Sequence, residues 1–480
     1  MKIKPFRIMK KSIILFTLIL ATAIMQAQER KQPIPGKPPV VNIKKPQSFT
    51  LANGLKVMVV ENHKLPKVTF NLTIDNPPFA EGDKKGVDEL CSNLLGNGSL
   101  NISKEDFNEE VDFMGVSMSF SSSSAFASAL SKFSKRSLEL LAEGALNPNF
   151  SQEELDKEKA KLIESLRSQE KSVSAIANRV VNALAFGKNH PLGEFITEES
   201  LNNISLADIT NNYKKRFVPQ NAYLAVVGDV KFNDIKPIIE KLFGTWQKTT
   251  INTTSYKDPK NVEGIQINFI DVPNAVQSEI AVVNTYHLKM NDKDFFPTVI
   301  ASYILGGGFN SYLNMNLREA HGWTYGASTS IGAGKYITSI RSSSAVKNHV
   351  TDSAVVEFIK EIKKIRTEKV TTEELESAKA GYIGRFVMKA EKPESVARYA
   401  LNTAIENLPA DFYENYIKML NAVTKEDVLA VANKYFLIDN SRIVIVGKGK
   451  DVIPGLEKLN IPIFYFDKFG NPVEKPFSNN

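Results

Sequence analysis

Cysteine is almost absent from this sequence, since Cys91 is the only one among 480 residues. A single thiol excludes an internal disulfide, and it also excludes a zinc cluster held by several thiolates. Cys91 lies in an apolar pattern with Val87, Leu90, Leu94 and Leu95, which predicts a buried structural thiol. Stability must therefore come from packing, for which a hydrophobic content of 42% is ordinary in a globular protein.

Long apolar runs are also scarce. The run at the N-terminus, from Ile13 to Met25, has 13 residues, which is short of the roughly 20 that a membrane-spanning helix needs. Five cations in the first eleven residues precede this run, and the small residue Ala27 follows it. This pattern is typical of a secretory signal peptide. We expect residues 1–27 to be removed and the mature chain to be exported without a stable membrane anchor, to the periplasm if the source is a Gram-negative bacterium.

The mature chain lacks an excess of either charge. The formal net charge is +7, and removal of the five cations of the signal peptide leaves +2. The basic residues Lys360, Lys363, Lys364 and Arg366 share a helical pattern with apolar side chains and glutamates, which favours a solvated helix face. We therefore expect no nucleic-acid partner. The run Gly306-Gly307-Gly308 fits no phosphate-binding fingerprint and predicts a turn.

An internal repeat is the main organisational feature of the chain. Glu153-Glu154-Leu155 recurs as Glu373-Glu374-Leu375 at an offset of 220, and Leu95 to Gly98 matches Leu305 to Gly308 at an offset of 210. The anchors at an offset of 219 are Asp208, Phe217, Asn221 and Val227-Gly228, which recur as Asp427, Phe436, Asn440 and Val446-Gly447. Ordered anchors with one small insertion indicate two copies of one unit.

Within each copy, predicted strands come first, predicted helices follow, and one further strand ends the copy. This order favours an α+β fold, in which each repeat is a largely antiparallel sheet with helices packed on one face. The predicted domains are a signal peptide at 1–27, a Pro-rich arm at 28–46, a first repeat at 47–247, a linker at 248–262 and a second repeat at 263–480.

Three stretches carry a family resemblance: Phe217 to Val230, Phe186 to Gly193, and Leu305 through Arg318 to Tyr325. Together they resemble the insulinase (pitrilysin) family of zinc peptidases, which includes insulysin and the mitochondrial processing peptidases. With the repeat, the resemblance covers residues 47–460. It implies that the two repeats face each other as a clam-like half chamber.

Active members of this family carry His-x-x-Glu-His on a helix, which holds zinc and activates a water molecule. In this sequence the three motif positions fall on Glu89, Ser92 and Asn93, and the more distal acidic ligand falls near Glu164 or Ser165. None of the three motif positions is a histidine, and no two of the five histidines have the spacing of a zinc pair. The chain is therefore expected to bind no zinc and to be inactive alone. A solvated carboxylate is expected for Glu89 and for its neighbour Asp88.

The motif of the second copy is intact. In the family, an Arg and a Tyr seven residues later engage the bound peptide near the scissile bond, and these positions are Arg318 and Tyr325. A guanidinium offers a donor fork to a carbonyl, and a phenol can donate to a developing oxyanion. The structural alternatives are a surface ion pair of Arg318 with Glu319 and a packed ring for Tyr325.

The resemblance leads to one main hypothesis and one rival from another class. In the first, this chain is the non-catalytic, substrate-binding subunit of a two-chain zinc metallopeptidase, and a homologous partner chain holds the zinc. In the second, it is a pseudo-peptidase that binds peptides or supports assembly without hydrolysis. A peptidase with an unrecognised metal site is a third possibility, against which the histidine spacing argues.

Overall fold

The computed structural model describes residues 45–250, 256–390 and 392–476. The predicted signal peptide, nearly all of the predicted Pro-rich arm and part of the predicted linker lie outside the described residues. No helix within the described ranges is long and apolar enough to cross a membrane. The domain boundaries drawn from the sequence stay a prediction.

The first sheet has six strands in the described part of the chain, in the order β1-β2-β6-β3-β5-β4. Strands β2 and β6 run parallel, and the other neighbouring pairs run antiparallel. The strands are β1 Gln47–Thr50, β2 Lys56–Glu61, β3 Lys67–Ile74, β4 Ser117–Ser121, β5 Ser124–Leu130 and β6 Ala222–Gly228.

The second sheet repeats this arrangement, in the order β12-β7-β11-β8-β10-β9. The outermost strand differs, because β12 comes from the C-terminal end of the chain and runs parallel to β7, whereas β1 precedes its neighbour and runs antiparallel to it. The strands are β7 Gln266–Asp271, β8 Gln277–Tyr286, β9 Ala327–Ile331, β10 Thr338–Lys347, β11 Arg442–Gly447 and β12 Ile463–Phe466. The predicted α+β class with two largely antiparallel repeats is confirmed.

The helices of the first repeat are α1 Val87–Leu94, α2 Lys104–Met114, α3 Ser134–Leu146, α4 Gln152–Gln169, α5 Val173–Phe186, α6 Glu198–Asn202, α7 Leu206–Arg216 and α8 Phe232–Phe243. Those of the second repeat are α9 Phe295–Ser302, α10 Thr351–Thr367, α11 Thr372–Ala390, α12 Pro393–Ile405, α13 Tyr416–Asn421, α14 Lys425–Tyr435 and α15 Gly449–Leu456.

One face of each sheet is covered by helices of its own repeat. In the first repeat, Phe70 and Leu72 of β3 pack with Leu138 of α3 and Phe243 of α8. In the second repeat, the equivalent core contains Ile280 of β8 and side chains of α10 and α15. Alternation along each strand directs every second residue into these cores. Strand β3 is therefore apolar at alternate positions, whereas β8 is buried on both faces from Ile280 to Tyr286.

The opposite face of each sheet carries a helix from the other repeat. Helix α5 of the first repeat packs through Ile176 and Val180 on the second sheet, where it meets β11 at Val444 and Val446. Conversely, α12 of the second repeat packs through its residues Val396, Ala397, Ala400 and Leu401 on β2 and β6 of the first sheet. The two repeats are thus joined by a reciprocal exchange of helices.

The anchors of the sequence repeat have physical roles. Asp208 and Asp427 complete capping boxes with Ser205 and Thr424, so each satisfies free N–H groups at the start of α7 or α14. Gly228 has φ +138°, and a Cβ there would lie 2.1 Å from the carbonyl oxygen of Lys67, so no larger residue fits. In the second copy, a Cβ on Gly447 would lie 2.5 Å from the hydroxyl oxygen of Ser278, so close packing restricts this glycine too. The aspartates recur because each completes the same kind of cap.

Candidate functional site

Helix α1 carries Glu89, Ser92 and Asn93, the three positions at which the resemblance predicts the zinc motif. Gly86 precedes it with a left-handed φ of 109°, and the helix begins at Val87. Its residues Leu90, Cys91 and Leu94 are buried against Leu155 of α4 and against side chains of α6 and α7. The helix is thus held in a packed position, and its remaining face carries the motif residues.

Ser92, the predicted equivalent of the catalytic glutamate, takes part in internal hydrogen bonds. Its hydroxyl donates to the carbonyl oxygen of Asp88 at 2.8 Å and accepts from the backbone N–H of Ser122 at 2.9 Å. The Asp88 carboxylate in turn accepts from the Ser122 hydroxyl at 2.8 Å and from the Asn212 amide at 3.1 Å. This network fastens α1 to the β4–β5 turn and to α7.

The network was not predicted, and the solvated carboxylate expected for Asp88 is wrong. Ser122 and Asn212 lie 34 and 124 residues beyond Asp88 in the sequence, and only the fold brings them together. No local spacing marks such a contact. Because its carboxylate accepts hydrogen bonds from two distant segments, Asp88 has a structural role at this site.

Glu89 and Asn93, the two histidine positions, are exposed. Partial burial raises the pKa of the Glu89 carboxyl, and the nearby carboxylate of Glu81 raises it further. Glu81 pairs with Lys85, which also lies 3.3 Å from Glu194. Carboxylates therefore outnumber cations at this end of α1.

A zinc ion does not fit this arrangement. Serine and asparagine are poor neutral ligands for zinc, and the Ser92 hydroxyl is already engaged. Glu164 and Ser165, near the expected distal ligand, are exposed on α4. Within residues 45–250, 256–390 and 392–476, no group of three His, Cys, Asp or Glu residues could hold a metal ion.

Arg318 lies in a π-helical turn, Asn314–Ala320. Its guanidinium carbon stands 4.8 Å from the centre of the Phe309 ring, and its Nε atom is 3.6 Å from a carboxylate oxygen of Glu319. The ion pair with Glu319, one of the structural alternatives, is therefore present. It engages one edge of the guanidinium at the surface, where such a pair contributes little to stability.

Tyr325 lies in the loop between this turn and β9, and it is 94% exposed. The packed ring that formed the structural alternative is therefore not seen. In the described residues, no hydrogen bond or ion pair joins Arg318 or Tyr325 to Glu89, Ser92 or Asn93. Ser92 is thus engaged in internal hydrogen bonds, whereas the Tyr325 ring is open to solvent.

Two family profiles match the chain in sequence. The profile described as "Insulinase (Peptidase family M16)" matches residues 56–197, and the profile described as "Peptidase M16 inactive domain" matches residues 203–382. The chain belongs to the insulinase (M16) family. Its departure from the active members is the loss of His-x-x-Glu-His, which occurs nowhere in the 480 residues.

Two bacterial relatives match nearly end to end. "Non-peptidase homolog YmxG" of Helicobacter pylori is 21% identical, over 83% of this chain and 93% of that protein. "Uncharacterized zinc protease YmxG" of Bacillus subtilis is 22% identical, over 84% of this chain and 98% of that protein.

Solved structures share the fold. A peptidase M16 inactive domain from Pseudomonas fluorescens superposes with a TM-score of 0.76 at 22% identity, over 84% of this chain and 98% of that one. The periplasmic protease PqqL of Escherichia coli gives a TM-score of 0.67 at 16% identity, over 91% of this chain and 51% of PqqL. This M16-family chain therefore corresponds in fold to about half of PqqL.

Proposed function

We propose that this chain is the non-catalytic, substrate-binding subunit of a two-chain zinc metallopeptidase. The proposal rests on the contrast between the predicted zinc-motif helix and the exposed Tyr325. Ser92, one of the three expected motif positions, is engaged in internal hydrogen bonds, and neither Glu89 nor Asn93 is a histidine, whereas Tyr325 is 94% exposed. An exposed tyrosine and a partly exposed arginine, seven residues apart in the sequence, are residue types that are frequent in binding surfaces.

In this function, Arg318 and Tyr325 bind a peptide whose scissile bond lies in the active site of a homologous partner chain, which holds the zinc. Stacking on Phe309 holds the guanidinium in place, and its Nη donors remain available for a peptide carbonyl. The phenol of Tyr325 is suited to donate to the carbonyl oxygen as negative charge develops there.

The pairing with a second chain follows from the incompleteness of the site. In this proposal, one chain supplies half of a clam-like chamber. This chain matches about half the length of PqqL, which is consistent with a chamber made from two such halves. We propose export of the mature chain after removal of residues 1–27, and hence action in the periplasm in a Gram-negative source.

The rival proposal is a peptide-binding or assembly scaffold without hydrolysis. The name of the H. pylori relative, a non-peptidase homologue, favours this possibility. Both proposals use the same exposed surface, and they differ in whether a zinc-bearing chain is present.

Co-purification distinguishes them. The tagged chain is recovered from its native host, bound proteins are identified, and the eluate is assayed on a tryptic digest of casein with and without a chelator. We expect a homologue with His-x-x-Glu-His and chelator-sensitive cleavage, with no cleavage by the isolated chain. Recovery of the chain without such a homologue, and without cleavage, would contradict the subunit proposal and leave the scaffold.

A further inference from the structure

The backbone on both sides of Tyr325 is fixed by side-chain hydrogen bonds. The N–H of Ala327 donates to Oδ1 of Asn314 at 2.8 Å. The N–H of Gly326 donates to the hydroxyl of Thr324 at 3.0 Å. The hydroxyl of Ser344 lies 2.9 Å from both the Thr324 hydroxyl and the carbonyl oxygen of Gly326. An almost fully exposed ring therefore stands on a turn whose backbone is held in place.

Asn314 connects this turn to the glycine-rich segment that precedes Arg318. Its Nδ2 donates to the carbonyl oxygen of Gly308 at 3.1 Å and to the Ser311 hydroxyl at 3.2 Å. The Nδ2 group of this amide thus donates to the Gly308–Ser311 turn, while its Oδ1 atom accepts from the start of β9. Removal of this side chain would release both segments together.

Ser344 approaches the turn from the sheet. It lies on β10 directly opposite Ala327 of β9, and it is only 5% exposed. A buried hydroxyl on a central part of a sheet has little freedom, so its bonds to Thr324 and Gly326 tie the loop to a rigid element.

We propose that Asn314 and Ser344 are positioning residues for Tyr325. This inference rests on the proposed function, in which the phenol must meet a peptide carbonyl. Because the ring is 94% exposed, the direction of its Cα–Cβ bond is set by the backbone that these two side chains hold. Small misplacement of an oriented group is costly in catalysis, which gives such residues an effect without contact to the substrate.

The first test uses the isolated chain and hydrogen exchange of the Gly326 and Ala327 amides. Asn314→Ala and Ser344→Ala should each accelerate exchange of these amides about tenfold or more, because each removes bonds that close the turn. Ser344→Thr keeps the hydroxyl and should restore protection. The matched control is Asn310→Ala, since Asn310 is exposed and accepts or donates no side-chain hydrogen bond among the described residues. Unchanged exchange in both alanine variants would overturn the inference.

The second test uses the co-purified complex and cleavage of the casein digest. Asn314→Ala should lower kcat with little change in KM, and it should have almost no further effect in a Tyr325→Phe background, since the two residues then act through one group. An equal loss of kcat in both backgrounds would overturn the inference. If Tyr325→Phe alone has wild-type kinetics while exchange at Ala327 is accelerated as expected, the proposed function fails and the structural part of the inference stands.

Discussion

Ile176 and Val396 stand at equivalent positions of the repeat, 220 residues apart, and each packs on the sheet of the other repeat. Their neighbours follow the same offset, so that Ala177 matches Ala397 and Val181 matches Leu401. Each sheet thus depends on a helix supplied by the other half of the chain. The exchange couples the stability of the two repeats.

Removal of apolar volume at either exchanged helix should destabilise the whole chain. Ile176→Ala and Leu401→Ala each delete most of a side chain that is at most 4% exposed, and such deletions typically cost about 2–5 kcal/mol. Chemical denaturation followed by fluorescence and by far-ultraviolet circular dichroism gives the free energy of unfolding.

The control for this prediction is Val356→Ala on α10, since Val356 is 44% exposed and should change stability by less than about 0.5 kcal/mol. Hydrogen exchange should report loss of protection in both sheets for either helix variant. Loss of protection confined to either sheet alone would contradict the coupling.

The thiol of Cys91 should be unreactive in the folded protein. Burial raises the pKa of the Cys91 thiol to about 12, with a further contribution from the Asp88 carboxylate. The thiolate is the reactive form, so labelling at pH 8 should be slow until the chain unfolds. Mass spectrometry after iodoacetamide treatment, with and without denaturant, measures this, and rapid labelling of the native chain would show that α1 is not packed as described.

Asp208 should contribute stability that is lost in acid. The hydrogen bond from Lys84, together with those from Ser205, lowers the pKa of the Asp208 carboxyl to about 2, below the value near 3.9 of an unfolded chain. A lowered pKa stabilises the fold above about pH 4, and this contribution disappears as the pH falls towards 2.

Asp208→Asn should therefore be less stable than the wild type at pH 7 and nearly equal to it near pH 2. Thermal unfolding over this pH range measures the difference. Asp112→Asn is the control, because the Asp112 carboxylate is exposed and accepts no hydrogen bond in the described part of the chain. A stability difference that does not depend on pH would contradict the assigned role.

The order of strands and helices along the chain was predictable because its signals are local and occur twice. The alternating apolar pattern marks β3, and anchors such as Asp208 and Asp427 complete the same kind of cap in each copy. The exchange of α5 and α12 was not predictable, since an amphipathic pattern shows which helix face is apolar but not which sheet it covers. Glu361 illustrates the same limit: it lies in a charged helical run, yet it is only 7% exposed and accepts a hydrogen bond from Asn316.

The purified chain should contain far less than one zinc per molecule. Its Ser92 hydroxyl is engaged with Asp88 and Ser122, and neither serine nor asparagine competes well for zinc. Metal analysis by mass spectrometry after extensive dialysis checks this. One tightly bound zinc per chain would contradict the prediction and would support an unrecognised metal site.

The Arg318 and Tyr325 substitutions decide whether this chain takes part in hydrolysis. Tyr325→Phe keeps the ring, which makes no packing contact in any case, so folding and subunit association should be unchanged. When the peptide bond is attacked, its carbonyl oxygen gains charge, and loss of one donor to that oxygen typically costs roughly 100-fold to 1,000-fold in kcat. Arg318→Ala should also raise KM, because a guanidinium that holds the peptide binds it in the ground state as well as in the transition state.

Glu319→Gln provides the control, since it removes the surface ion pair with Arg318 and leaves the contact with the Phe309 ring intact. Steady-state kinetics of the co-purified complex on the casein digest compare the three variants. If both Arg318→Ala and Tyr325→Phe have wild-type kcat and KM, the two residues take no part in hydrolysis. The scaffold proposal would then explain the exposed surface better.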